Sequence, residues 1–344
     1  MDMKTFIKEM PKVELHRHLS GALSSACMYS IAERKGFDVK GNSLESFRKL
    51  TSMYGEEPDF HTFLDKFISR AEFITDKSFI SEIIKNVVRE AADDNVIHLE
   101  LRFSADHFSR HMNFNMEEIT EQIISVSSEE AELYGLGIAF IMTLSRHIAP
   151  EKNIRMADIS LESSLSRHIA GIDIAGDEAN FPLDGLKTLM YRALDAGKKI
   201  TVHAGEAGPA SNVEEAIDEG AVRIGHGIQS FNDTHVLEKA VEKEITYEVC
   251  PTSNIQTGTV KSVQDIDIKG VMEKGARIAV CTDDPGVSDT DLSNEYMVVQ
   301  EAFDLSHSDL SKLLVNAVQG AFAPDADKKK LKDRIEAYFR GNER

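Results

Sequence analysis

The sequence predicts an α/β fold in which strands and helices alternate along the chain. Eight short runs of apolar, often β-branched residues end in polar or glycine-rich turns. Helix-length segments with apolar residues spaced at about 3.6 separate these runs. Continuous apolar runs of this length are typical of strands buried on both faces of a parallel sheet. The alternation predicts a (β/α)8 TIM barrel, although a doubly wound open sheet would give the same pattern.

The predicted elements follow one another in regular order. The eight predicted strands cover residues 12–18, 96–104, 137–144, 169–174, 199–203, 223–225, 245–249 and 277–281. The predicted helices between them cover residues 78–93, 115–134, 182–196, 213–219, 234–242 and 268–274. In the first of these helices, Phe79, Ile83, Val87 and Ala91 fall on one face, as an amphipathic helix on a sheet requires.

The connection after the first strand, from about 19 to 95, is longer than a βα unit needs. It contains helical stretches at 23–35 and 60–73, so we expect a helical lid over one barrel end. A surface insertion without a role is the alternative. Segments 309–321 and 325–340 predict closing helices at the C terminus. Because the sequence shows no internal repeat or linker, residues 1–344 are predicted to form a single barrel domain containing this insertion.

Composition limits the classes of partner. The 344 residues include 58 Asp and Glu against 39 Lys and Arg, a formal charge of −19. Nucleic acids and anionic membranes both need clustered basic residues, so neither is expected as a partner. The longest uncharged apolar stretch, 134–144, is shorter than the roughly 20 residues of a membrane span. Three scattered cysteines without a CxxC pair, and no signal-like N terminus, predict a cytoplasmic protein of unspecified oligomeric state.

Polar side chains that can bind a metal ion collect at the carboxyl ends of the predicted strands. They are His16 and His18 after the first strand, His203 and Glu206 after the fifth, His226 after the sixth, and Asp283 and Asp284 after the eighth. In barrel enzymes this end carries the active site. Each residue alone could equally be a turn residue or a helix cap. Together, three histidines and an aspartate favour a divalent transition metal, Zn²⁺ above others, with a position left for water.

The segments MPKVELHRHLSGAL, AGIDIAGDE, VHAGE, RIGHGI, CPTSN and CTDDPGV occur in this order. They resemble the motifs of the adenosine deaminase family of the amidohydrolase superfamily, and the resemblance extends from about Pro11 to Tyr296. It implies one Zn²⁺ ion held by His16, His18, His203 and Asp283. Relatives with two metals usually carry a bridging lysine at the end of the fourth strand, and residues 171–176 contain no lysine.

The resemblance also implies roles in catalysis. Glu206 would give a proton to the purine ring, His226 would orient and deprotonate the metal-bound water, and Asp283 would act with them through the metal. The expected substrate contacts are His18, Ser20, the backbone of Gly176 at purine N3, and Asp284 at N7. The other zinc architecture of nucleobase deaminases needs a PCxxC segment, which this sequence lacks.

Both acidic roles require unusual pKa values. A carboxyl with an ordinary pKa of about 4.3 would be ionised at neutral pH, so Glu206 must be desolvated or hydrogen-bonded in its neutral form. Purine N7 accepts hydrogen bonds, so Asp284 must also be protonated to donate to it. Neighbouring residues of a strand point to opposite sides, which would let Asp283 serve the metal while Asp284 serves the base.

Ser20 bears on the substrate. Members specific for adenosine typically carry Asp at this point, where it binds the 5′-hydroxyl, and the change to Ser20 favours a nucleoside modified at the 5′ position. Candidates are 5′-methylthioadenosine, 6-aminodeoxyfutalosine and a 5′-phosphate, with adenosine itself as an alternative. The expected reaction is hydrolytic deamination of a small purine nucleoside to its inosine-type product and ammonia. Deamination of free adenine or of a nucleotide, a non-catalytic purine-binding protein, and ring-amide hydrolysis remain as alternatives.

Overall fold

The computed structural model describes residues 2–37, 43–74, 76–110 and 114–342. Eight strands form one sheet in which neighbours in the chain are neighbours in space and run parallel. The strands are β1 (Lys12–His18), β2 (Val96–Phe103), β3 (Gly137–Ser145), β4 (Ile169–Ala175), β5 (Lys199–Ala204), β6 (Arg223–His226), β7 (Thr246–Val249) and β8 (Arg277–Val280). The predicted (β/α)8 TIM barrel is confirmed, and each strand lies within one residue of its predicted bounds.

The barrel closes through a short contact between β1 and the segment after β8. The Asp283 N–H donates to the His16 carbonyl over 2.8 Å, and the His18 N–H donates to the Asp283 carbonyl over 2.9 Å. Asp283 itself has a left-handed backbone with φ +62°. The argument from strand alternation for Asp283 and Asp284 was therefore wrong, because β8 ends at Val280 and neither residue lies on that strand.

Helices cover the outside of the sheet. The helices that follow β2 to β8 are Ala105–Ser109, Met116–Tyr134, Pro150–Leu161, Lys187–Asp195, Ala210–Asp218, Thr234–Glu242, Pro251–Gln256, Ile268–Glu273, Pro285–Ser288 and Leu292–Phe303. Short 3₁₀ turns occur at Ser166–His168, Leu183–Gly185, Ile228–Ser230 and Val263–Ile266. The helix Met3–Glu9 precedes β1. Within the described residues, no helix has the length and apolar composition needed to cross a bilayer.

The connection after β1 is helical, with helices at Leu19–Ala22, Ser25–Arg34, Leu44–Thr51, Phe60–Ala71 and Lys77–Asp93. Residues 38–42 and 75 of the predicted insertion lie outside the described residues. Lys77–Asp93 packs on β2 and on Met116–Tyr134, so this helix belongs to the outer layer of the barrel. The earlier part reaches the far side of the barrel mouth: the Met53 N–H donates to the Val287 carbonyl and the Asp59 N–H to the Gln256 carbonyl, over 2.8 and 2.9 Å.

The C-terminal segment closes the opposite end of the barrel. Helix His307–Gly320 packs against β8 and β1, and helix Asp325–Asn342 packs on it. Both lie within two residues of their predicted bounds. Between them Phe322 is buried under the barrel, where its N–H donates to Glu100 and the Arg223 guanidinium lies 3.6 Å from its ring centroid. Phe322 and its partners therefore fill the centre of the barrel at the amino ends of the strands, and barrel enzymes carry their active site at the other end.

Candidate active site

Four predicted ligand atoms converge at the carboxyl end of the barrel. His16 Nε2 lies 3.1 Å from His18 Nε2, which lies 3.2 Å from His203 Nε2. Asp283 Oδ1 lies 3.3 Å from His16 Nε2 and 3.5 Å from His18 Nε2. A tetrahedral ion with ligands at about 2.0–2.1 Å separates its ligand atoms by about 3.3 Å. The spacing of these side chains therefore fits one small divalent ion.

Two buried carboxylates orient two of the imidazoles. His16 Nδ1 lies 2.9 Å from Glu248 Oε2, and His203 Nδ1 lies 2.9 Å from Asp173 Oδ1. When Nδ1 donates to these carboxylates, each ring keeps its Nε2 lone pair directed at the centre of the cluster. Metal ligands in proteins are commonly held in this way.

Buried arginines keep these carboxylates ionised. Burial opposes ionisation of Asp173, but His203 and Arg102 outweigh it and hold its pKa well below the usual range. For Glu248, Arg102 and Arg223 likewise outweigh burial and hold its pKa well below its usual value. Arg102 reaches both acids, pairing with Glu248 and lying 3.3 Å from Asp173 Oδ1.

Asp283 is held through both its backbone and its side chain. Its backbone pairs with β1, as described above, and Ser253 Oγ donates to its Oδ2 over 2.8 Å. That contact leaves Oδ1 for the cluster of histidines. Burial raises the pKa of Asp283, but the neighbouring His16 outweighs it and keeps the pKa well below its usual value. Asp283 is therefore a carboxylate, as a metal ligand has to be.

His226 and Glu206 lie beside the four-atom cluster. His226 is fully buried with φ +62°, and its Nε2 lies 3.5 Å from Glu206 Oε2. His226 Nδ1 lies 3.1 Å from the side-chain nitrogen of Asn254. Burial lowers the pKa of His226 well below its usual value, so this imidazole is neutral. Left-handed backbone at both His226 and Asp283 is costly for non-glycine residues and is typical of functional sites.

The pKa of Glu206 is shifted in the opposite direction from that of Asp283. Burial first, and then the charge of Asp283, raise the pKa of Glu206 to about 8. A carboxyl group with this pKa carries its proton at neutral pH. The protein groups around Glu206 therefore favour the protonated form that its predicted role as an acid requires.

Glu178 holds the loop on which Glu206 sits. Its carboxylate accepts hydrogen bonds from the N–H groups of Gly205, Glu206 and Ala207, over 3.0, 2.7 and 2.8 Å. The side chain of Asn212 donates to it as well, over 3.0 Å. Three successive N–H groups on one carboxylate fix the backbone of the loop, so Glu206 is presented from a rigid support.

Asp284 packs against the first turn after β1. A Cβ atom at Gly21 would lie only 2.0 Å from Asp284 Oδ1, so a glycine is required at that position. Burial and the charge of Asp283 raise the pKa of Asp284 well above its usual value. Asp284 is accordingly neutral, and its Oδ1 has no hydrogen-bond partner among the described residues. This polar group is available to a bound molecule.

The remaining predicted contacts lie around the same mouth. Gly176 follows β4 with φ +99°, and a Cβ there would lie 2.6 Å from His147 Nδ1. Ser20 lies half-buried in the short helix after His18. Ser20 also lines a small cavity together with Arg70 of the insertion, a buried guanidinium that donates to the carbonyls of Thr51 and Leu23.

The sequence analysis missed the residues that support the predicted ones. They are Asp173, Glu178, Glu248, Ser253 and Asn254. For two of them a signal was present, since Asp173 in AGIDIAG and Glu248 in ITYEVC are single acids inside otherwise apolar strands. An acid in a strand buried on both faces has to be paired, and that requirement points to the barrel interior. Glu178 lies in a loop, and Ser253 and Asn254 lie in the short helix Pro251–Gln256, where polar residues are too common to stand out.

The chain is similar to known proteins over nearly its whole length. The family model described as Adenosine deaminase matches residues 11–338. A protein named adenosine deaminase from Shewanella denitrificans is 32% identical over 327 residues, which cover 94% of this chain and 98% of that protein.

Among solved structures, an adenine deaminase from Arthrobacter aurescens superposes with a TM-score of 0.88 at 25% identity, covering 96% of this chain and 99% of that one. An amidohydrolase from Burkholderia ambifaria, solved with bound zinc, superposes with a TM-score of 0.84 at 22% identity, covering 98% and 93% of the two chains. At that identity the second likeness speaks for the fold alone.

Proposed function

The chain belongs to the adenosine deaminase family, whose members are hydrolytic deaminases, and on that premise we propose that it is a zinc-dependent deaminase of an adenosine-type nucleoside. The reaction replaces the exocyclic amino group of the purine by oxygen and releases ammonia. The observation that carries the proposal is the convergence of His16, His18, His203 and Asp283, at separations of 3.1–3.5 Å, next to a protonated Glu206.

These four residues would hold a single Zn²⁺ ion. When bound, zinc lowers the pKa of water to about 7 and so supplies a nucleophile at neutral pH. His226 also lies close enough to His16, His203 and Asp283 to be grouped with them as a possible ligand, and a second group of possible ligands is His18, His203 and Asp173. Its third member, Asp173, already accepts from His203 Nδ1 and faces Arg102. One ion therefore accounts for the donor atoms.

Glu206 acts as the general acid. Attack of water on the amine-bearing carbon moves electron density to the adjacent ring nitrogen, which then needs a proton. Burial and the charge of Asp283 favour the protonated form of Glu206, because they raise its pKa to about 8. A positioned acid of this kind contributes about 10²–10⁴-fold to the rate. The hydrogen bonds from residues 205–207 to Glu178 fix the backbone from which the Glu206 side chain extends.

His226 accepts the proton of the attacking water. For this its Nε2 must carry the lone pair, with Nδ1 protonated and donating to the oxygen of the Asn254 side chain. The amide as placed presents its nitrogen to Nδ1, and its oxygen has no partner among the described residues. A half-turn of the amide satisfies that oxygen and selects the catalytic tautomer, so Asn254 positions the base.

The remaining side chains recognise the purine. Neutral Asp284 donates to N7, and the Gly176 backbone serves N3, at a position where a larger residue would collide with His147. His18 is the more open of the two β1 histidines, with 13% of its side chain exposed against 0% for His16. It therefore borders the substrate as well as the ion.

The substrate class follows from Ser20. This residue supplies a neutral hydroxyl at the position where a carboxylate would bind a free 5′-hydroxyl. We propose that a nucleoside modified at the 5′ position is preferred, and that the helices of residues 19–71 act as a lid over it. Hydrogen bonds from Met53 to Val287 and from Asp59 to Gln256 tie this insertion to the short helices after β8 and β7.

Free adenine is a second candidate, favoured by the likeness to the adenine deaminase from Arthrobacter aurescens. A site for the free base would need no 5′ contact. The two candidates differ in whether the ribose contributes to kcat/KM, and the same substrate panel separates them.

The test is a metal analysis followed by a substrate panel. Purified protein should contain about one zinc per chain. Zinc-loaded protein is then assayed with adenosine, 5′-methylthioadenosine, adenosine 5′-monophosphate and adenine, and products are identified by mass. Exchange of NH for O identifies deamination, whereas addition of water identifies ring hydrolysis. His16→Ala is the matched control and should lose both metal and turnover. Full activity in metal-free protein, or binding without turnover across the panel, would contradict the proposal.

A further inference from the structure

A cavity of about 540 Å³ lies at the end of the barrel opposite to the candidate active site. We call it the floor cavity; the amino ends of β2, β3 and β4 line it, together with the helix Asp325–Asn342. Its volume is within the range of about 300–1,000 Å³ typical of small-molecule sites. None of the residues assigned above to catalysis or metal binding lines it.

The cavity exists because the sheet is uncovered there. Strands of a parallel barrel are normally covered by helices, yet Gly137 at the start of β3 is exposed, and Ile138 and Ala139 are half-buried. A Cβ atom at Gly137 would lie 3.0 Å from His98 Nδ1. The small residues on this wall thus leave space that larger side chains would fill, and Phe322 and Leu331 add an apolar surface.

The rim of the floor cavity is basic in a chain whose net charge is −19. Arg167, Lys330 and Arg334 line it, against one acid, Asp327. Lys330 pairs with Asp327 over 2.8 Å, whereas Arg167 donates to His168 instead of a carboxylate. No ion pair joins Arg167 or Arg334 to an acid in the described part of the chain. Two guanidinium groups are therefore left for an anion, and guanidinium matches phosphate geometry.

One polar group inside the cavity is buried. His98 is 5% exposed, and its Nε2 lies 3.4 Å from Glu100 Oε1. When Nε2 donates to that carboxylate, Nδ1 keeps a lone pair on the side of Gly137, which is the cavity side. Nδ1 has no hydrogen-bond partner among the residues described, so it can accept a hydrogen bond from a hydroxyl group.

These features describe a ligand with an anionic head, an apolar or ring-shaped body and a hydroxyl group. We propose that the floor cavity binds an organic phosphate of nucleotide size, with its phosphate between Arg167 and Arg334 and its body against Phe322 and Leu331. This site is independent of the proposed deaminase activity. It does not use the metal, and it lies at the barrel end that has no catalytic residues.

Uridine 5′-monophosphate and ribose 5-phosphate are suitable probes, because neither has a purine amino group. Binding to the zinc-loaded full chain is measured by titration calorimetry, with and without saturating inosine to occupy the active site. Uridine and inorganic phosphate test the two parts of the ligand separately. We expect one molecule of probe to bind per chain, with an affinity that inosine does not change. Uridine and inorganic phosphate should each bind more weakly than uridine 5′-monophosphate.

The variant Arg167→Gln/Arg334→Gln should weaken probe binding at least about tenfold, and replacement of both by Lys should restore part of it. Both arginines are exposed, so these variants are expected to fold. Arg34→Gln/Arg155→Gln removes the same charge elsewhere and is the matched control. Equal weakening in the two pairs, competition by inosine, or no binding of either probe would overturn the proposal.

Discussion

Replacing Asp173 by Asn tests the support of the candidate metal centre. Asp173 Oδ1 lies 2.9 Å from His203 Nδ1 and 3.3 Å from Arg102, while its Oδ2 accepts from Thr143 Oγ1 over 3.1 Å. Asn has the same shape, so His203 can keep a hydrogen bond to the amide oxygen. What is lost is the negative charge that makes the imidazole a better ligand and fixes its tautomer.

The size of the effect follows from the kind of contact. Removal of such a supporting group typically weakens metal binding by about 10–100-fold, which is about 1.4–2.7 kcal/mol. Arg102 keeps its contact with Glu248, so no guanidinium is left without a carboxylate. The loss of folding free energy should therefore be that of charge-assisted hydrogen bonds, about 1.5–3 kcal/mol.

Zinc affinity is measured by competition of the metal-free protein with a chromogenic chelator, and folding by thermal denaturation without metal. Thr143→Val is the control, because it removes a neutral hydrogen bond to the same carboxylate and leaves His203 untouched. It should cost about 0.5–1.5 kcal/mol in stability and leave zinc affinity unchanged. If Asp173→Asn binds zinc as tightly as this control, Asp173 does not support the metal centre.

Three further predictions concern Glu206 and Ser20. Glu206→Gln should retain zinc and lose about 10²–10⁴-fold in kcat, and a fully active variant would remove its role as the acid. The acid form of Glu206 is required, so kcat/KM should fall as the pH rises through its pKa of about 8. A bound cation lowers this pKa and therefore moves the fall in kcat/KM to a lower pH. A value of kcat/KM that still rises at pH 8 contradicts the assignment. Ser20→Asp should raise the ratio of kcat/KM for adenosine to that for 5′-methylthioadenosine by about fivefold, because a hydrogen bond to a charged group contributes about 1 kcal/mol more. An unchanged ratio would exclude Ser20 from the 5′ site.

The barrel was predictable because its strands are buried on both faces. Their apolar runs stand out against the amphipathic helices, so the eight strands could be located to within one residue. Candidate site residues were predictable for a related reason: His16, His203 and His226 interrupt the apolar pattern at strand ends, where parallel strands meet at one edge. In both cases a local pattern of apolar and polar residues predicts the position of a residue in the fold.

The support of the site could not be predicted in the same way. Asp173 pairs with His203, and Glu248 pairs with His16. These pairings depend on the register between strands of the barrel, which the sequence of a single strand does not determine. The placement of Asp283 and Asp284 depends on a left-handed residue after the end of β8 and not on strand alternation. The raised pKa of Glu206 comes from burial, which exists only once the barrel and its insertion are assembled.

The contact between β1 and Asp283 has a consequence for how the protein assembles. The backbone of β1 pairs with the segment after β8 through residues 16–18 and 283, which are separated by most of the polypeptide and include three of the four candidate ligands. A nascent chain without its final third can therefore have no complete binding pocket for an ion. Binding of an ion there would link β1 to the segment after β8, so metal uptake would add to the stability of the closed barrel.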